Sequence, residues 1–233
     1  MKELRPMDFK QFMVSNNLVT HINPTSPAAE AYRILRTNIQ YSSVDKKIKS
    51  IVITSPTIQD GKTVTASNLA ISIANSGNQV VLVDSDLRKP TVHKQFKISS
   101  ARGLTDVLIG ETSLDDALKG MRDIPGLKIL TCGTIPPNPS ELVSSKKYKD
   151  LISELKQRFD MVIIDTPPVG YVSDGIILSR EADGVILTIA AGKTRINHAQ
   201  TSVEALRKVN ANILGVVMTK VKDKKKIGYY EYK

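Results

Sequence analysis

At 233 residues the chain fits one large domain with a substantial single core, and its 41% hydrophobic and 24% charged residues are ordinary for a globular protein. Its one cysteine, Cys132, excludes an internal disulfide and fits a reducing cytoplasm, while no run approaches the roughly 18 apolar residues of a membrane span. The formal net charge of +10 is compatible with nucleic acid, an anionic membrane surface or an acidic protein partner.

Residues 1–25 lack the continuous apolar stretch of a signal peptide and any clear periodicity, so an extended N-terminal arm is expected there. Next comes "EAYRILR", which on a helix sets Glu30, Arg33 and Arg36 on one side; an intrahelical Glu30–Arg33 pair would be worth only about 0.2–0.5 kcal/mol. Short, nearly all-apolar runs then recur with helical stretches between them: 50–54, 79–84, 127–130, 161–165, 184–190 and 212–218. Continuous rather than alternating apolar strands predict a sheet covered on both faces. Residues 145–159 read as an amphipathic helix with Tyr148, Leu151, Ile152, Leu155 and Phe159 on one stripe. The expected fold class is α/β: a single domain over 26–220, mostly parallel sheet with helices on both faces. There is no internal repeat, and "TIPPNPSE" (134–141) is a proline-rich loop entering a helix near Ser140.

Ligands of such sheets bind beyond the carboxyl ends of the strands. After the first strand, Gly61-Lys62-Thr63 opens a helix ending near Gly77, the order of a phosphate loop, so the expected domain is P-loop NTPase-like. Backbone N–H groups and the helix N-terminus bind phosphate oxygens, the lysine reaches the β- and γ-phosphates, and the threonine hydroxyl ligates Mg²⁺. Asp60, Gly61, Lys62, Thr63 and Val64 are the expected nucleotide contacts. The G-x-x-x-x-G-K-[ST] pattern asks for glycine at 56, where this chain has Pro56, which removes one donor. "VVLVDSDLRKP" places Asp84 and Asp86 just past the second strand, followed by Arg88, and "MVIIDTPP" ends another strand on Asp165. One such aspartate would most simply cap a helix; three beside a G-K-T loop point to Mg²⁺ held through its waters. Thr63, Asp86 and Asp165 are the expected metal residues. Lys62, Asp84, Asp86 and Asp165 are the expected catalytic set, with Asp84 as the base; the sequence leaves the division of labour among the carboxylates open.

These residues resemble the bacterial tyrosine kinases of capsule and exopolysaccharide synthesis, in the Gram-positive form whose kinase is a separate cytoplasmic chain. The resemblance runs from about Glu30 to the carboxyl terminus. Lys62 and Thr63 match the family's Walker A motif, Asp84, Asp86 and Arg88 its Walker A′ motif, and Asp165 its Walker B motif. Glu30, Arg33 and Arg36 match E-x-x-R-x-x-R, which implies ring-like self-association. The basic tyrosine-rich tail, 221–233, carries Tyr229, Tyr230 and Tyr232, and these match the family's autophosphorylated cluster. The resemblance implies ATP and Mg²⁺, a transmembrane polysaccharide co-polymerase adaptor as activator, a cognate tyrosine phosphatase and protein substrates, with no specific nucleic acid. It places the chain in the cytoplasm, at the inner face of the membrane through that adaptor. One departure stands out: members carry P-G-E-G-K-S or a close variant, and the glycine before the acidic residue is Gln59 here, which is expected to stiffen the loop apex.

Two other readings share the fold. A partitioning ATPase of the ParA/MinD kind would use the positive charge for DNA or membrane, but would carry a second lysine where this chain has Thr57. A nucleotide-gated partner of a membrane protein without kinase activity is the third.

Overall fold

The computed structural model describes residues 15–42 and 47–221. Tyr229, Tyr230 and Tyr232, with most of the expected tail and the first part of the expected arm, lie outside the described residues.

In chain order, α1 (Val19–Ile22) and α2 (Pro27–Tyr41) precede β1 (Ser50–Thr54), α3 (Lys62–Ala74) and β2 (Val80–Asp84). Then come α4 (Val92–Phe96), α5 (Leu104–Ile109), α6 (Leu114–Ala117), β3 (Lys119–Met121) and β4 (Ile124–Leu130). The second half holds α7 (Pro139–Ser144), α8 (Lys146–Arg158), β5 (Met161–Asp165), α9 (Asp174–Glu181), β6 (Gly184–Ala190), α10 (Ile196–Lys208) and β7 (Ile213–Thr219). The strands form one seven-stranded sheet in the order β3-β4-β2-β5-β1-β6-β7, parallel except for the β3–β4 pair.

Both faces of the central strands β1, β2, β5 and β6 are covered, which is why these are nearly all apolar, whereas the edge strand β7 leaves Val216 and Met218 exposed. Successive side chains alternate in direction. Ile51, Ile53, Leu82 and Ile163 join one buried cluster with Leu69 and Ile71 of α3. Val52, Val81, Val83 and Ile164 join another with Tyr148, Leu151 and Leu155 of α8. The α8 stripe is the one legible in the sequence, and Ser145 caps the helix by accepting the Tyr148 N–H. In α3 every residue except Lys62 and Val64 is buried, so this helix is sandwiched between the sheet and its neighbours α1, α2 and α4.

The segment 15–25 is not the extended arm expected. Leu18 is buried, and the Thr20 N–H and hydroxyl both donate to Asn68 Oδ1 (3.0 and 2.9 Å). Asn68 Nδ2 returns bonds to the Asn17 and Val64 carbonyls, so one side chain of α3 holds the short helix in place. A single buried leucine leaves no periodicity to read.

Register positions the chemistry. β5 lies between β2 and β1, with Asp84 opposite Asp165 and Ile53 opposite Asp165. Adjacent strands are roughly 4.8 Å apart, so two carboxylates and the start of the β1–α3 loop meet at one end of the sheet. β7 finishes there too, with the Thr219 hydroxyl donating to the Asp60 carbonyl (2.8 Å).

Candidate active site

The β1–α3 loop turns on two left-handed residues, Gln59 (φ +62°) and Gly61 (φ +91°). At Gly61 a Cβ would lie 3.0 Å from Thr219 Cγ2, so both conformation and space favour glycine. The buried Asp60 side chain faces into the loop rather than toward a ligand: Oδ2 accepts the Thr57 N–H and hydroxyl (2.8 Å each), and Oδ1 accepts the Thr194 hydroxyl (2.9 Å). What Asp60 offers a nucleotide is its main-chain N–H. Among the described residues no hydrogen bond engages the N–H groups of Gln59 through Thr63. Clustered N–H donors at a helix N-terminus form an anion cradle, and the loss of glycine at 56 leaves it intact.

Around the cradle stand the expected side chains. Lys62 Nζ donates to Asp86 Oδ2 (2.8 Å), and Asp86 Oδ1 accepts the Lys89 N–H (3.0 Å). The Thr63 hydroxyl donates to Asp165 Oδ2 (2.6 Å) and accepts from Thr91 Oγ1 (3.1 Å). Asp84 Oδ2 accepts the Val92 N–H (3.0 Å). Among the described residues, one oxygen each of Asp84 and Asp165 is buried with no partner. Burial, and then the charge of Asp165, holds the Asp84 carboxyl well above the usual carboxylate range. Burial likewise pushes Asp165 up to about 6, against the opposing pull of Lys62 and the Thr63 bond. For Lys62, burial alone would lower the pKa, but the charges of Asp165 and Asp86 and the Asp86 hydrogen bond raise it.

The buried Asp165 oxygen without a donor, with the Thr63 hydroxyl beside it at the edge of a cradle for anions, fits a cation next to phosphate. Among the described residues no three His, Cys, Asp or Glu side chains converge to hold a metal by themselves. That suits Mg²⁺, which keeps several waters and takes few protein ligands.

Arg88 stands apart. It forks onto Asp174 at the start of α9 (2.8 and 3.2 Å) and onto Ser140 (2.8 Å), tying the loop after β2 to the proline-rich segment. Sequence reasoning did not single out Asp174 or Thr91; an acidic residue opening a helix and a threonine before one read as ordinary caps. Nor did it find the Tyr148 hydroxyl, which pairs with Oγ of Ser85 (2.9 Å), the residue between Asp84 and Asp86 in the chain.

Glu30, Arg33 and Arg36 lie away from this site, on α2. Arg33 Nε donates to Glu30 Oε2 (2.7 Å) and Nη1 to the Pro24 carbonyl (2.8 Å). Arg36 Nη1 donates to the Ser72 carbonyl (2.7 Å) near the far end of α3. Within one chain, then, each residue of the motif has a partner.

A phosphate cradle, a lysine and three strand-end carboxylates on a parallel sheet define a P-loop nucleotide-binding protein. Residues 48–216 match the family described as an AAA domain. The chain is 43% identical over 219 residues to the tyrosine-protein kinase YwqD of Bacillus subtilis, covering 93% of this chain and 92% of that protein. Its structure is similar to that of the chimerical protein CapA2B2, with a TM-score of 0.84 and 35% identity over 89% of this chain and 91% of the other. It is similar also to the kinase domain of the Escherichia coli tyrosine kinase ETK, with a TM-score of 0.82 and 30% identity over 91% and 84% of the two chains. The chain belongs to the bacterial tyrosine-protein kinase family.

Proposed function

We propose that this chain transfers the terminal phosphoryl group of ATP to tyrosine, with its own Tyr229, Tyr230 and Tyr232 among the acceptors, and thereby regulates capsular or extracellular polysaccharide synthesis. The observation that carries the reading is the convergence of the Gln59–Thr63 N–H groups, Lys62, Asp84, Asp86 and Asp165 at one end of the sheet.

The geometry supports the following roles. The N–H groups receive phosphate oxygens, and Lys62 exchanges Asp86 for the β- and γ-phosphates. Thr63, Asp86 and Asp165 would hold Mg²⁺, which when bound supplies neutralisation of phosphate charge. A tyrosine hydroxyl has a pKa near 10 and needs its proton accepted as the oxygen attacks. Asp84 is suited to that, because its burial raises its basicity and one of its oxygens is unpartnered. The acceptor oxygen bonds to phosphorus, the bond to the departing ADP breaks, and the phenolic proton passes to Asp84.

The domain division follows the same reading: residues 26–220 form the kinase unit, 1–25 an N-terminal segment partly docked on it, and 221–233 the substrate tail. Among the described residues no helix is long and apolar enough to cross a membrane; in this reading a transmembrane adaptor holds the chain at the membrane and activates it. Glu30, with 49% of its side chain exposed, and Arg33, with 39%, remain accessible to a neighbouring copy in a ring. A cognate phosphatase resets the tail. Incubation with γ-labelled ATP and Mg²⁺ tests the assignment. Label on tyrosine supports it, release as inorganic phosphate would make the chain an ATPase, and neither would leave a nucleotide-gated binding partner.

A further inference from the structure

Gln59 occupies the left-handed region, at φ +62°, where a side chain carries a strain that glycine does not. What opposes the strain comes from the ends of the last two strands. Lys193 Nζ donates to Gln59 Oε1 (2.9 Å), and Lys220 Nζ donates to the Gln59 carbonyl (2.7 Å). The adjoining Thr194 hydroxyl accepts the Ala190 N–H (2.8 Å) and donates to Asp60 Oδ1 (2.9 Å). Thr219 donates to the Asp60 carbonyl (2.8 Å), and the Ala191 N–H donates to the Thr219 carbonyl (2.9 Å), linking the two strand ends. Two consecutive residues after β6 and two at the end of β7 therefore grip two consecutive residues of the phosphate loop. Among the described residues neither ammonium group has a carboxylate partner. Their hydrogen bonds are to Gln59, and that fixes where they act.

We propose that Lys193-Thr194 and Thr219-Lys220 are positioning residues for the nucleotide: they hold Gln59-Asp60 in the conformation that keeps the loop N–H groups gathered on one ligand. A glycine at 59 would reach that conformation through backbone freedom; here side chains impose it. This inference rests on the nucleotide-binding reading of the loop. Because the grip acts on the cradle and not on the transferred group, it affects nucleoside di- and triphosphates alike.

The test is a double-mutant cycle on Gln59→Gly and Lys193→Ala, read as the Kd for MgADP and for a non-hydrolysable MgATP analogue. Thermal melting without nucleotide accompanies each variant to confirm the fold. Lys193→Ala is expected to raise both Kd values about three- to tenfold, the scale of one modest hydrogen bond. Lys193→Arg, which keeps a donor, restores most of the affinity. In the Gln59→Gly background Lys193→Ala changes either Kd by less than about twofold, since the backbone then needs no brace. An equal loss in both backgrounds overturns the proposal. So does a loss confined to the triphosphate analogue, which would make Lys193 a direct contact of the terminal phosphate. Failure of wild type to bind either nucleotide overturns the reading of the loop itself, a separate result from wild-type binding that Lys193→Ala leaves unchanged.

Discussion

Asp165 shows at the scale of one residue how the site trades stability for chemistry. Its carboxyl is buried beside Asp84 and Asp86, and its pKa is raised to about 6. An acid whose folded pKa exceeds its unfolded value of about 3.9 favours folding when protonated, at low pH. That stabilisation is lost as pH rises through the folded pKa. Asp165→Asn removes the penalty while keeping an acceptor for Thr63. In EDTA at pH 8 the variant should be more stable than wild type, by on the order of 1–3 kcal/mol, and the gap should close below about pH 4. Denaturant melts at the two pH values check this, and a variant no more stable at pH 8 contradicts it. The same variant should lose most phosphotyrosine formation. Asp165 and its companions were legible because strand ends and spacing announce them. Thr91, Asp174 and Lys193 were not, since each acts through a partner from another segment: Thr91 on Thr63, Asp174 on Arg88, and Lys193 on Gln59 across 134 residues of sequence.

Elements long enough to show a pattern were legible at close to their true bounds. The runs 50–54, 161–165 and 184–190 are β1, β5 and β6 as read, because strands buried on both faces leave apolar residues at consecutive positions through their middles. β3 was missed: Lys119-Gly120-Met121 has no apolar run, and pairing with β4 alone makes it a strand. α1 was missed for the reason given by its anchor, a bond to Asn68 that is 48 residues away. That docking yields a prediction. Leu18→Ala should destabilise the protein by about 2–5 kcal/mol, as for other fully buried leucines, whereas a detached arm would lose nothing. Equilibrium denaturation measures it. At the opposite end of the sheet Asp183 accepts the Lys49 and Ser50 N–H groups (3.0 Å each) and pairs with Lys156 (2.9 Å), joining β1, α8 and the start of β6. Burial alone would raise its pKa, but the bonds from Lys156, Lys49 and Ser50 lower it. A depressed carboxyl stabilises above its unfolded pKa, and the effect is lost as pH falls through the folded one. Asp183→Asn should therefore cost stability at pH 7 and progressively less below about pH 4; an equal deficit at pH 3 contradicts this.

For the whole molecule the question is how the tail meets the site. β7 ends beside the phosphate loop, and from Thr219 to Tyr232 a chain can extend by roughly 3.3–3.6 Å per residue, so its own site and a neighbour's are both within reach by length. A ring would hold neighbouring tails at high effective concentration, so phosphorylation is expected in trans. Each phosphate adds roughly −1.5 to −2 charges, which would loosen such a ring. A Lys62→Met chain with an intact tail, mixed with an active chain whose three tail tyrosines are phenylalanine, should gain phosphotyrosine. If it gains none, while wild type is labelled at a rate independent of dilution, transfer is in cis.

The central claim is that the cradle, Lys62 and the strand-end aspartates carry phosphoryl transfer to tyrosine. Its most direct measurement maps phosphotyrosine by mass spectrometry after incubation with ATP and Mg²⁺, in wild type and in a Lys62→Met variant shown by its melt to be folded. The account predicts phosphate on Tyr229, Tyr230 or Tyr232 of wild type and none on the variant. Equal phosphorylation of the folded variant would contradict it.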